Sequence, residues 1–379
     1  MSGAAFLPMT AEDVRARSPE FLAVARDQAY DNWTLENFLA DLPEKWSLSF
    51  VVEVAGQVAG YAVLSRRAPD RVHLHHFMLA PDHRGGGLGS RMLAEAESRA
   101  RAAGARFLGL KVHCSAADAR RFYLTRGFAM LEHDPQAAYL PLEKALAPLA
   151  VAIHQPNYLP WLGYFAKIAR ADVFVFLDDV QFSKGSYTNR VQILSPKGPR
   201  WLTVPVAAHL GDAIDRVPPS RPDWAGAHLD TLRGMYSSAP CFKAAWPGVR
   251  ALLESAPAAD LAAVNMHLVQ ELAGLLGLSC AFRKSSGLAL ASSSDDRLVE
   301  IVSQVAPGGT YISGKGGAKY QDPAKFAAAG LGFAYLDFAH PVYAQGAAPF
   351  LPGLSVLDAV FHLGWAGAAA LLAGGGAHA

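Results

Sequence analysis

The alternation of apolar and polar residues predicts strands and helices in the first third of the chain. Residues 50–61 form two apolar runs separated by an alanine-glycine pair, which is typical of two strands joined by a tight turn. Residues 71–79 predict a third strand, and Ser90–Ala102 shows the spacing of a helix. Nearer the start, Thr10 followed three positions later by Asp13 predicts the cap of the first of two helices.

A glycine-rich stretch, residues 84–90, joins the third strand to the Ser90–Ala102 helix with the order Arg-Gly-Gly-Gly-Leu-Gly-Ser. Glycines let successive N–H groups point at one spot, and a helix N-terminus adds partial positive charge. The stretch lacks the Gly-Lys-Ser/Thr ending of a nucleoside-triphosphate loop. It also lacks the early strand and downstream acidic residue of a Rossmann unit. It therefore predicts an anion site of another type.

Over residues 1 to about 146, this order of elements resembles the GNAT family (GCN5-related N-acyltransferases). The glycine-rich stretch matches the family pattern Arg/Gln-x-x-Gly-x-Gly/Ala. The resemblance implies a mixed-sheet α/β domain that transfers an acyl group from acetyl-CoA, or another acyl-CoA, to an amine. The matching segments are Val51–Val54, Gln57–Leu64, Val72–Leu79, residues 84–90, Ser90–Ala102, Phe107–Val112 and Phe122–Phe128.

The resemblance also implies which residues hold the cofactor. In the family, the strand before the loop pairs with the pantetheine arm of coenzyme A, and Leu79 occupies that position. The loop N–H groups bind the pyrophosphate, so that no metal is needed. The loop positions are Arg84, Gly85, Gly86, Gly87, Gly89 and Ser90.

Transfer to an amine requires a base for the amine and an acid for the departing thiolate. Tyr123 matches the family tyrosine that protonates the sulfur, with a core aromatic on an amphipathic helix as the alternative. His73 and His75 alternate onto one strand face, similar to the histidine pair of serotonin N-acetyltransferase, and imidazole titrates near neutral pH. Two partly exposed strand histidines are the alternative. Glu53, acting through a water, is a further candidate for the base.

Length and composition narrow the classes of protein. The 379 residues suffice for two domains, which we place at 1–147 and 148–379. A formal net charge of +1 gives no general attraction to nucleic acid or membranes, although an aminoacyl-tRNA donor stays open. Three cysteines without Cys-x-x-Cys spacing, and no recognisable signal peptide, favour a cytoplasmic protein. The apolar segment 353–374 contains Asp358 and His362 and predicts an internal helix.

The second domain begins with two apolar strands that end in polar residues. Residues 149–153 lead into His154, and residues 173–177 lead into Asp178. Open α/β sheets bind ligands at the carboxyl ends of buried parallel strands. The pattern therefore predicts a ligand site between these two strand ends. The alternative is that His154 and its polar neighbours only cap the following helix and brace the turn.

Residues 150 to about 365 resemble a second family, the WbqC-like family, found with bacterial polysaccharide (O-antigen type) biosynthesis. The resemblance implies handling of an activated, nucleotide-linked amino sugar, as acyl or aminoacyl transfer onto its amine. A weaker likeness to HIGH-motif nucleotidyltransferases favours a nucleotidyltransferase-like or Rossmann-like core with helical insertions. The matching segments are Ile153–Trp161, Asp178–Phe182, Asn189–Arg190, Trp201–Val206, Tyr311–Tyr320, His340–Gln345 and Leu354–Asp358.

Residue types in these segments suggest a site. His154 is a candidate base and Asp178 a candidate acid, and the glycine loop at 314–317 would bind an anion. Asp178 and Asp179 could hold Mg²⁺ only if the strand has ended before them, since adjacent strand residues point to opposite faces, and we assign no metal. The residues predicted to bind substrate are Gln155, Asn157, Tyr158, Asp179, Gln181, Lys184, Asn189, Arg190, Lys315, Tyr320 and His340.

These observations predict a bifunctional transferase of bacterial glycan assembly. The first domain would acetylate a primary amine, and the second would bind or acylate the amino sugar. Two other hypotheses stay open at this point. The second domain could be a non-catalytic module that presents the acceptor, or the first could be a sensor that binds coenzyme A without turning it over. The oligomeric state is left undetermined.

Overall fold

The structure, a computed structural model, describes residues 3–26, 32–319, 321–346 and 349–373. The chain divides into two compact units, Met1–Ala147 and Pro148–Ala379, each described by itself below. In the part of the chain that is described, no helix combines the length and the apolar character needed to span a membrane.

The first unit combines short helices with one sheet. Thr10 caps its first helix, as predicted, by accepting a hydrogen bond from the Asp13 backbone N–H at 3.0 Å. The helices are α1 (Ala11–Ala16), α2 (Ser18–Ala25), α3 (Leu35–Leu39), α4 (Lys45–Leu48), α5 (Leu88–Ala102) and α6 (Ala117–Leu124). The strands are β1 (Ala5–Pro8), β2 (Phe50–Val54), β3 (Gln57–Ala68), β4 (Arg71–Leu79), β5 (Phe107–His113), β6 (Ala129–Met130) and β7 (Tyr139–Ala145).

These strands form a mixed sheet in the order β1-β2-β3-β4-β5-β7-β6. Neighbours are antiparallel except β4 and β5, which are parallel. Ala55 and Gly56 make the predicted tight turn between β2 and β3 with φ of 52° and 78°. The mixed α/β class predicted for this domain is confirmed.

A bulge in β4 opens the middle of this sheet. The β3–β4 register passes from Val63↔His76 to Leu64↔Leu74, so the backbone of His75 has no paired residue on β3. A bulge bends its strand. Pairing between β4 and β5 stops at Leu74 and Leu110, one residue before the bulge. The C-terminal part of β4 therefore diverges from β5.

Apolar side chains cover both faces of the sheet. On one face, strands β2 to β5 pack against α5 through residues such as Leu74, Met92, Leu93 and Leu110. On the other face, strands β2 to β4 pack against α1 to α3 through residues such as Val14, Phe21, Phe38 and Tyr61. The split between β4 and β5 thus lies between two packed layers.

The second unit is a parallel α/β sheet with added helices and a hairpin. Its strands are β8 (Ala150–His154), β9 (Val173–Phe176), β10 (Arg190–Ser195), β11 (Gly198–Thr203), β12 (Ala281–Lys284), β13 (Thr310–Gly314) and β14 (Gly332–Leu336). Its helices are α7 (Leu162–Ala169), α8 (Trp224–Tyr236), α9 (Phe242–Glu254), α10 (Leu261–Leu275), α11 (Ser294–Val305), α12 (Pro323–Ala328) and α13 (Val356–Ala373).

Five of these strands form a parallel sheet in the order β12-β9-β8-β13-β14, and β10 and β11 form a separate antiparallel pair. From β8, the chain builds the sheet first towards β9 and β12 and later, on the other side, towards β13 and β14. The order therefore reverses between β8 and β13. Such a doubly wound sheet agrees with the predicted Rossmann-like core.

Helices cover both faces of this sheet. One face packs with α7 to α10 and α13 in a single large core, and the other packs with α11 and α12. The segment 353–374 contains α13, as predicted for an internal helix, and Val356, Leu357 and Phe361 in it are fully buried. Gly364 kinks α13 with a φ of 75°.

Candidate functional site

In the first unit, the divergent end of β4, the glycine loop and α6 enclose a cavity of about 530 Å³, here termed the loop cleft. Its wall includes six of the seven residues predicted to hold the cofactor, and Gly86 lies in the same loop. Tyr123 also lies on the wall. The wall is formed by Phe77, Met78, Leu79, Arg84, Gly85, Gly87, Gly89, Ser90, Asp118, Ala119, Phe122, Tyr123 and Arg126.

The glycine loop leaves room for a ligand because its three consecutive glycines, residues 85–87, carry no side chains. Gly85 and Gly87 have φ of 80° and 81°, which residues with a Cβ adopt only at a cost. Among the described residues, no heavy atom lies within 4 Å of a Cβ placed at Gly85, Gly86 or Gly87. Helix α5 begins at Leu88, two residues before its predicted start, so the loop leads straight into the helix N-terminus, which carries partial positive charge. A pyrophosphate fits this arrangement.

Arg126, which the sequence-based prediction missed, adds a cation beside the loop. Its guanidinium donates to Ser90 Oγ at 2.7 Å and to the Phe122 carbonyl at 2.9 Å. The same group stacks on the Phe122 ring, with Cζ 3.8 Å from the centroid. These three contacts hold the positive charge of Arg126 next to Ser90, one of the residues predicted to bind the pyrophosphate. The sequence held a signal for this residue, since Arg126 follows Tyr123 in a segment that carries the family resemblance.

Replacing Arg126 by methionine is expected to raise the KM for acetyl-CoA about five- to tenfold with little change in kcat, because one charge-assisted contact to phosphate is lost. Steady-state thiol release measures both constants. Arg121→Met on α6 is the control, since the Arg121 side chain is 79% exposed and lies off the cleft wall. Equal rises in KM for both variants would contradict the role of Arg126.

Tyr123 lies on the cleft wall and is also packed into the core. Its position therefore fits both alternatives, the acid at the site and the core aromatic. The residue is 7% exposed, and its ring contacts Phe77, Phe122 and Phe128 edge-on. In the described part of the chain, its hydroxyl makes no hydrogen bond. Burial raises the pKa of the phenol above its ordinary value. The hydroxyl therefore keeps its proton at neutral pH and has that proton available for a group in the cleft.

The predicted base pair, His73 and His75, lies together on one face of β4 with 4.8 Å between ring centroids. His75 Nε2 lies 2.7 Å from Ser65 Oγ. Burial, with the nearby charge of Arg67 adding to it, lowers the pKa of both histidines to about 4. Both are neutral at pH 7 and weak proton acceptors, and neither lies on the wall of the loop cleft. Their role as a base stays a prediction.

The remaining candidate for the base is engaged elsewhere. Glu53 was predicted to act as the base through a bound water. Its carboxylate instead forms an ion pair with Arg17. A third histidine on β4, His76, contacts the Tyr61 hydroxyl at 2.9 Å and stacks on Trp33. Burial lowers the pKa of His76 to about 3, so this residue belongs to the packed layer.

In the second unit, the carboxyl ends of β8 and β13 border another cavity of about 530 Å³, here termed the switch-point cleft. The predicted residues His154, Gln155 and Lys315 lie on its wall. Strand order reverses at this point of the sheet, which is where open α/β sheets bind ligands. The wall is formed by Ile153, His154, Gln155, Trp161, Gly163, Tyr164, Lys167, Leu177, Leu298, Tyr311, Ser313, Gly314, Lys315, Gly316, Gly317, Gln321, Leu336 and Phe338.

The site was predicted between β8 and β9, and the structure corrects its second strand to β13. Asp178, at the end of β9, is 2% exposed and accepts hydrogen bonds from the Ser286 N–H at 3.0 Å and from Ser286 Oγ at 2.6 Å. Asp179 forms an ion pair with Arg297 at 2.6 Å and accepts from Ser285 Oγ. Neither aspartate lies on the cleft wall. Their carboxylates tie the end of β9 to the segment after β12 and to α11.

Asp178→Ala is therefore expected to lower the free energy of unfolding by about 2–4 kcal/mol, because three hydrogen bonds from Ser285 and Ser286 to a buried carboxylate are lost. Chemical denaturation of the whole chain measures this. Asp230→Ala on α8, where the side chain is 75% exposed, should change stability by less than about 0.5 kcal/mol. Loss of activity at unchanged stability would instead restore a catalytic role for Asp178.

Several residues predicted to bind substrate are packed in the core. Tyr158 is fully buried and places its hydroxyl 2.7 Å from His228 Nδ1, so it cannot stack on a ligand. Asn157 is 3% exposed. Asn189 is 8% exposed and donates to the Val204 carbonyl at 3.0 Å. The role of Tyr158 is corrected to packing. Asn157 and Asn189 do not lie on the cleft wall, and their role in ligand binding stays a prediction.

Other predicted residues lie away from the switch-point cleft wall. Gln181 and Lys184 are exposed, and Arg190 places its guanidinium 4.1 Å from the Trp201 ring centroid. His340 is half-buried, 5.1 Å from the Phe338 ring between centroids. Tyr320 lies outside the described residues.

One imidazole, that of His154, and one buried amine, that of Lys167, belong to residues on the wall of the switch-point cleft. His154 Nδ1 donates to the Gln155 carbonyl at 3.1 Å, which leaves Nε2 as the acceptor. Burial, and then the charge of Lys167, lowers the pKa of His154 to about 3. Lys167 on α7 was missed by the sequence-based prediction, although a lysine inside the otherwise apolar run Leu162–Ala169 was a visible signal.

Fold and sites together define an α/β protein with two compact units. The first has a glycine loop at a split mixed sheet, and the second has a cleft at the switch point of a parallel sheet. Residues 14–128 match the acetyltransferase (GNAT) family, and residues 155–370 match the WbqC-like protein family. The second match covers more than half of the chain, and the chain belongs to the WbqC-like protein family. Its first domain is a GNAT-type N-acyltransferase domain whose cofactor is an acyl-CoA.

One relative and two solved structures are similar to parts of this chain. The chain is 31% identical over 217 residues to the uncharacterized protein Rv1507c of Mycobacterium tuberculosis, across 56% of this chain and 94% of that protein. The ribosomal-protein-S18-alanine N-acetyltransferase of Escherichia coli is 18% identical, with a TM-score of 0.33, across 38% of this chain and 95% of its own. The PaiA N-acetyltransferase of Thermoplasma acidophilum, in complex with coenzyme A, is 20% identical, with a TM-score of 0.31. The match covers 38% of this chain and 99% of that chain. The assignment rests on the family matches.

Proposed function

We propose that the protein is a bifunctional transferase that uses acetyl-CoA to acetylate a primary amine and that binds, and acylates or aminoacylates, a nucleotide-linked amino sugar. Its place would be bacterial surface polysaccharide or related glycan biosynthesis. The observation that carries the proposal is the presence of two separate anion-suited clefts in one chain. One has the glycine loop and Tyr123, and the other has the lysine-bearing loop at the switch point.

In the first domain, acyl-CoA when bound supplies an acyl group activated as a thioester. Arg84, Arg126 and the loop N–H groups would hold its pyrophosphate. Tyr123 Oη holds a proton at neutral pH and can give it to a developing thiolate. The rings of Phe77, Phe122 and Phe128 pack around Tyr123 and hold it in place.

In the second domain, the character of the switch-point cleft supports an anionic ligand. Lys167 and Lys315 lie on its wall, and no carboxylate does among the described residues. Gly314 and Gly316 have no heavy atom within 4 Å of a Cβ position in the described structure, which leaves backbone N–H groups accessible. Trp161 and Phe338 supply apolar surface for a sugar or base. A nucleotide-linked sugar combines these two characters.

One observation favours a second candidate, in which this domain only holds the acceptor. With Asp178 bound by serines and His154 held neutral, no acid–base pair is evident on the described wall. Acceptor binding alone needs no such pair. The first domain would then perform the only transfer.

Thiol release from acetyl-CoA, measured against dTDP- and UDP-linked amino sugars and their glycyl derivatives, tests the proposal. Turnover of a free sugar amine that is lost in Tyr123→Phe and only weakened in His154→Ala would make the second domain an acceptor holder. Turnover of the aminoacylated sugar alone would support two sequential activities. No turnover with any of these compounds would reject the amino-sugar assignment.

A further inference from the structure

Lys167 is a buried lysine at the floor of the switch-point cleft. It lies on α7 among the buried residues Phe165, Ala166 and Ile168, and it is 6% exposed. Its Nζ donates to the Ile153 carbonyl at 3.1 Å, at the end of β8. An ammonium group has three donors, so this bond leaves two for other partners, and Lys167 is one of the residues on the cleft wall.

No acidic side chain balances this charge within the described residues. His154 from β8 and Tyr164 from α7 share the cleft wall with Lys167, and both are electrically neutral at pH 7. Lys315, from the loop after β13, also lies on the wall, and its Nζ is paired with the Asp337 carboxylate at 2.6 Å. Helix α13 also packs against α7, but its acidic residue, Asp358, already accepts the hydroxyls of Tyr236 and Tyr343.

A buried charge without a partner is costly to a fold. An apolar residue would fill the same place on α7 more favourably, so the position of Lys167 is best explained by a ligand that brings the missing negative charge. The neighbouring loop points to phosphate. Its Gly314 and Gly316 have no heavy atom within 4 Å of a Cβ position in the described structure, which leaves room for an anion beside the backbone N–H groups.

We propose that Lys167 binds a phosphate group of the ligand at the floor of the switch-point cleft, opposite the glycine loop that carries Lys315. The inference deepens the proposed function, on which it rests in taking the ligand of this domain to be phosphate-bearing. Lys167 anchors the ligand and leaves the transfer chemistry to other groups.

The protonation of Lys167 gives this contact a pH dependence of known sign. Burial lowers the pKa of the free amine to about 8. A bound phosphate favours the charged form, so the contribution of Lys167 to affinity is complete below pH 8 and declines as the pH rises through 8. His154, with a pKa of about 3, and Tyr164, with a pKa well above 10, do not titrate near this pH.

Calorimetric binding of inorganic pyrophosphate to the full chain tests the inference. Saturating coenzyme A is included so that the loop cleft of the first domain is occupied. At pH 7, Lys167→Met should weaken pyrophosphate binding about tenfold or more, and Lys167→Arg should retain part of the affinity. Lys243→Met on α9, at an exposed position, should bind like the wild type.

The ratio of wild-type to Lys167→Met affinity should fall as the pH rises from about 7 to about 9, and this ratio cancels the titration of pyrophosphate itself. The thermal midpoint of ligand-free Lys167→Met should equal or exceed that of the wild type, because methionine removes a buried unpaired charge. Equal affinities of wild type and Lys167→Met, or a ratio that does not change with pH, would overturn the inference.

The two proposals fail separately. Lys167-dependent pyrophosphate binding without turnover of any amino sugar would reject the proposed substrate and keep the anion site. Amino-sugar turnover with pyrophosphate binding that ignores Lys167 would reject the anchoring role alone.

Discussion

Tyr123→Phe is expected to lower kcat for acetyl transfer about a hundred- to ten-thousand-fold and to leave the KM for acetyl-CoA nearly unchanged. The change removes one hydroxyl that carries a proton at neutral pH and faces the loop cleft. It should cost little stability, because that hydroxyl has no hydrogen-bond partner among the described residues and the ring contacts remain. Stopped-assay or continuous thiol release with a saturating amine measures kcat.

Tyr139→Phe is the matched control. Tyr139 is 37% exposed on β7 and lies off the cleft wall, so the same loss of a hydroxyl should leave kcat unchanged. If Tyr123→Phe kept most of the wild-type kcat, the tyrosine would be a core aromatic only, and the acid would have to be sought elsewhere.

Gly87→Ala is expected to raise the KM for acetyl-CoA about ten- to thirtyfold and to lower the free energy of unfolding by about 1–2 kcal/mol. Gly87 has a φ of 81° at the start of α5, where a Cβ strains the backbone that presents the loop N–H groups. A loop that relaxes away from this conformation loses the geometry that pyrophosphate requires. Steady-state kinetics and chemical denaturation give the two quantities.

Gly104→Ala separates the strain from the site. Gly104 has a φ of 78°, and no heavy atom lies within 4 Å of its Cβ position in the described structure, as at Gly87. It follows α5 and lies off the cleft wall. The two variants should lose similar stability, and only Gly87→Ala should raise KM. A similar KM for both would show that the glycine loop does not hold the cofactor.

Much of the first domain could be predicted because its signals are local. The Thr10 cap, the Ala55-Gly56 turn and the glycine loop each depend on residues a few positions apart. The bulge at His75 could not be predicted, since it depends on how β3 and β4 align. That bulge decides where β4 leaves β5, and with it the position of the loop cleft.

The second domain shows where such prediction stops. The strand ends at His154 and Asp178 were both visible, and a shared site was predicted because open α/β sheets bind ligands at the carboxyl ends of parallel strands. Strand order is a property of the whole sheet, and it places β13, more than 150 residues later in the chain, on the open side of β8. Asp178 then lies on the other side, bound by Ser285 and Ser286.

Side-chain roles inside the switch-point cleft were the least predictable. Tyr158 has the residue type of a stacking platform, yet tertiary packing buries it completely against Trp224 and His228. Lys167 has the appearance of one polar position on an apolar helix, and only the sheet beside it shows that its amine reaches a cavity.

We propose above that this chain acetylates an amino sugar that is linked to a nucleotide. The most direct measurement is the mass of UDP- and dTDP-linked amino sugars, with and without a glycyl group, after incubation with acetyl-CoA and the full chain. We expect one added acetyl group on an amine of at least one of these compounds, and none with Tyr123→Phe. Unchanged masses for every compound, while the chain still releases thiol with another amine, would contradict it.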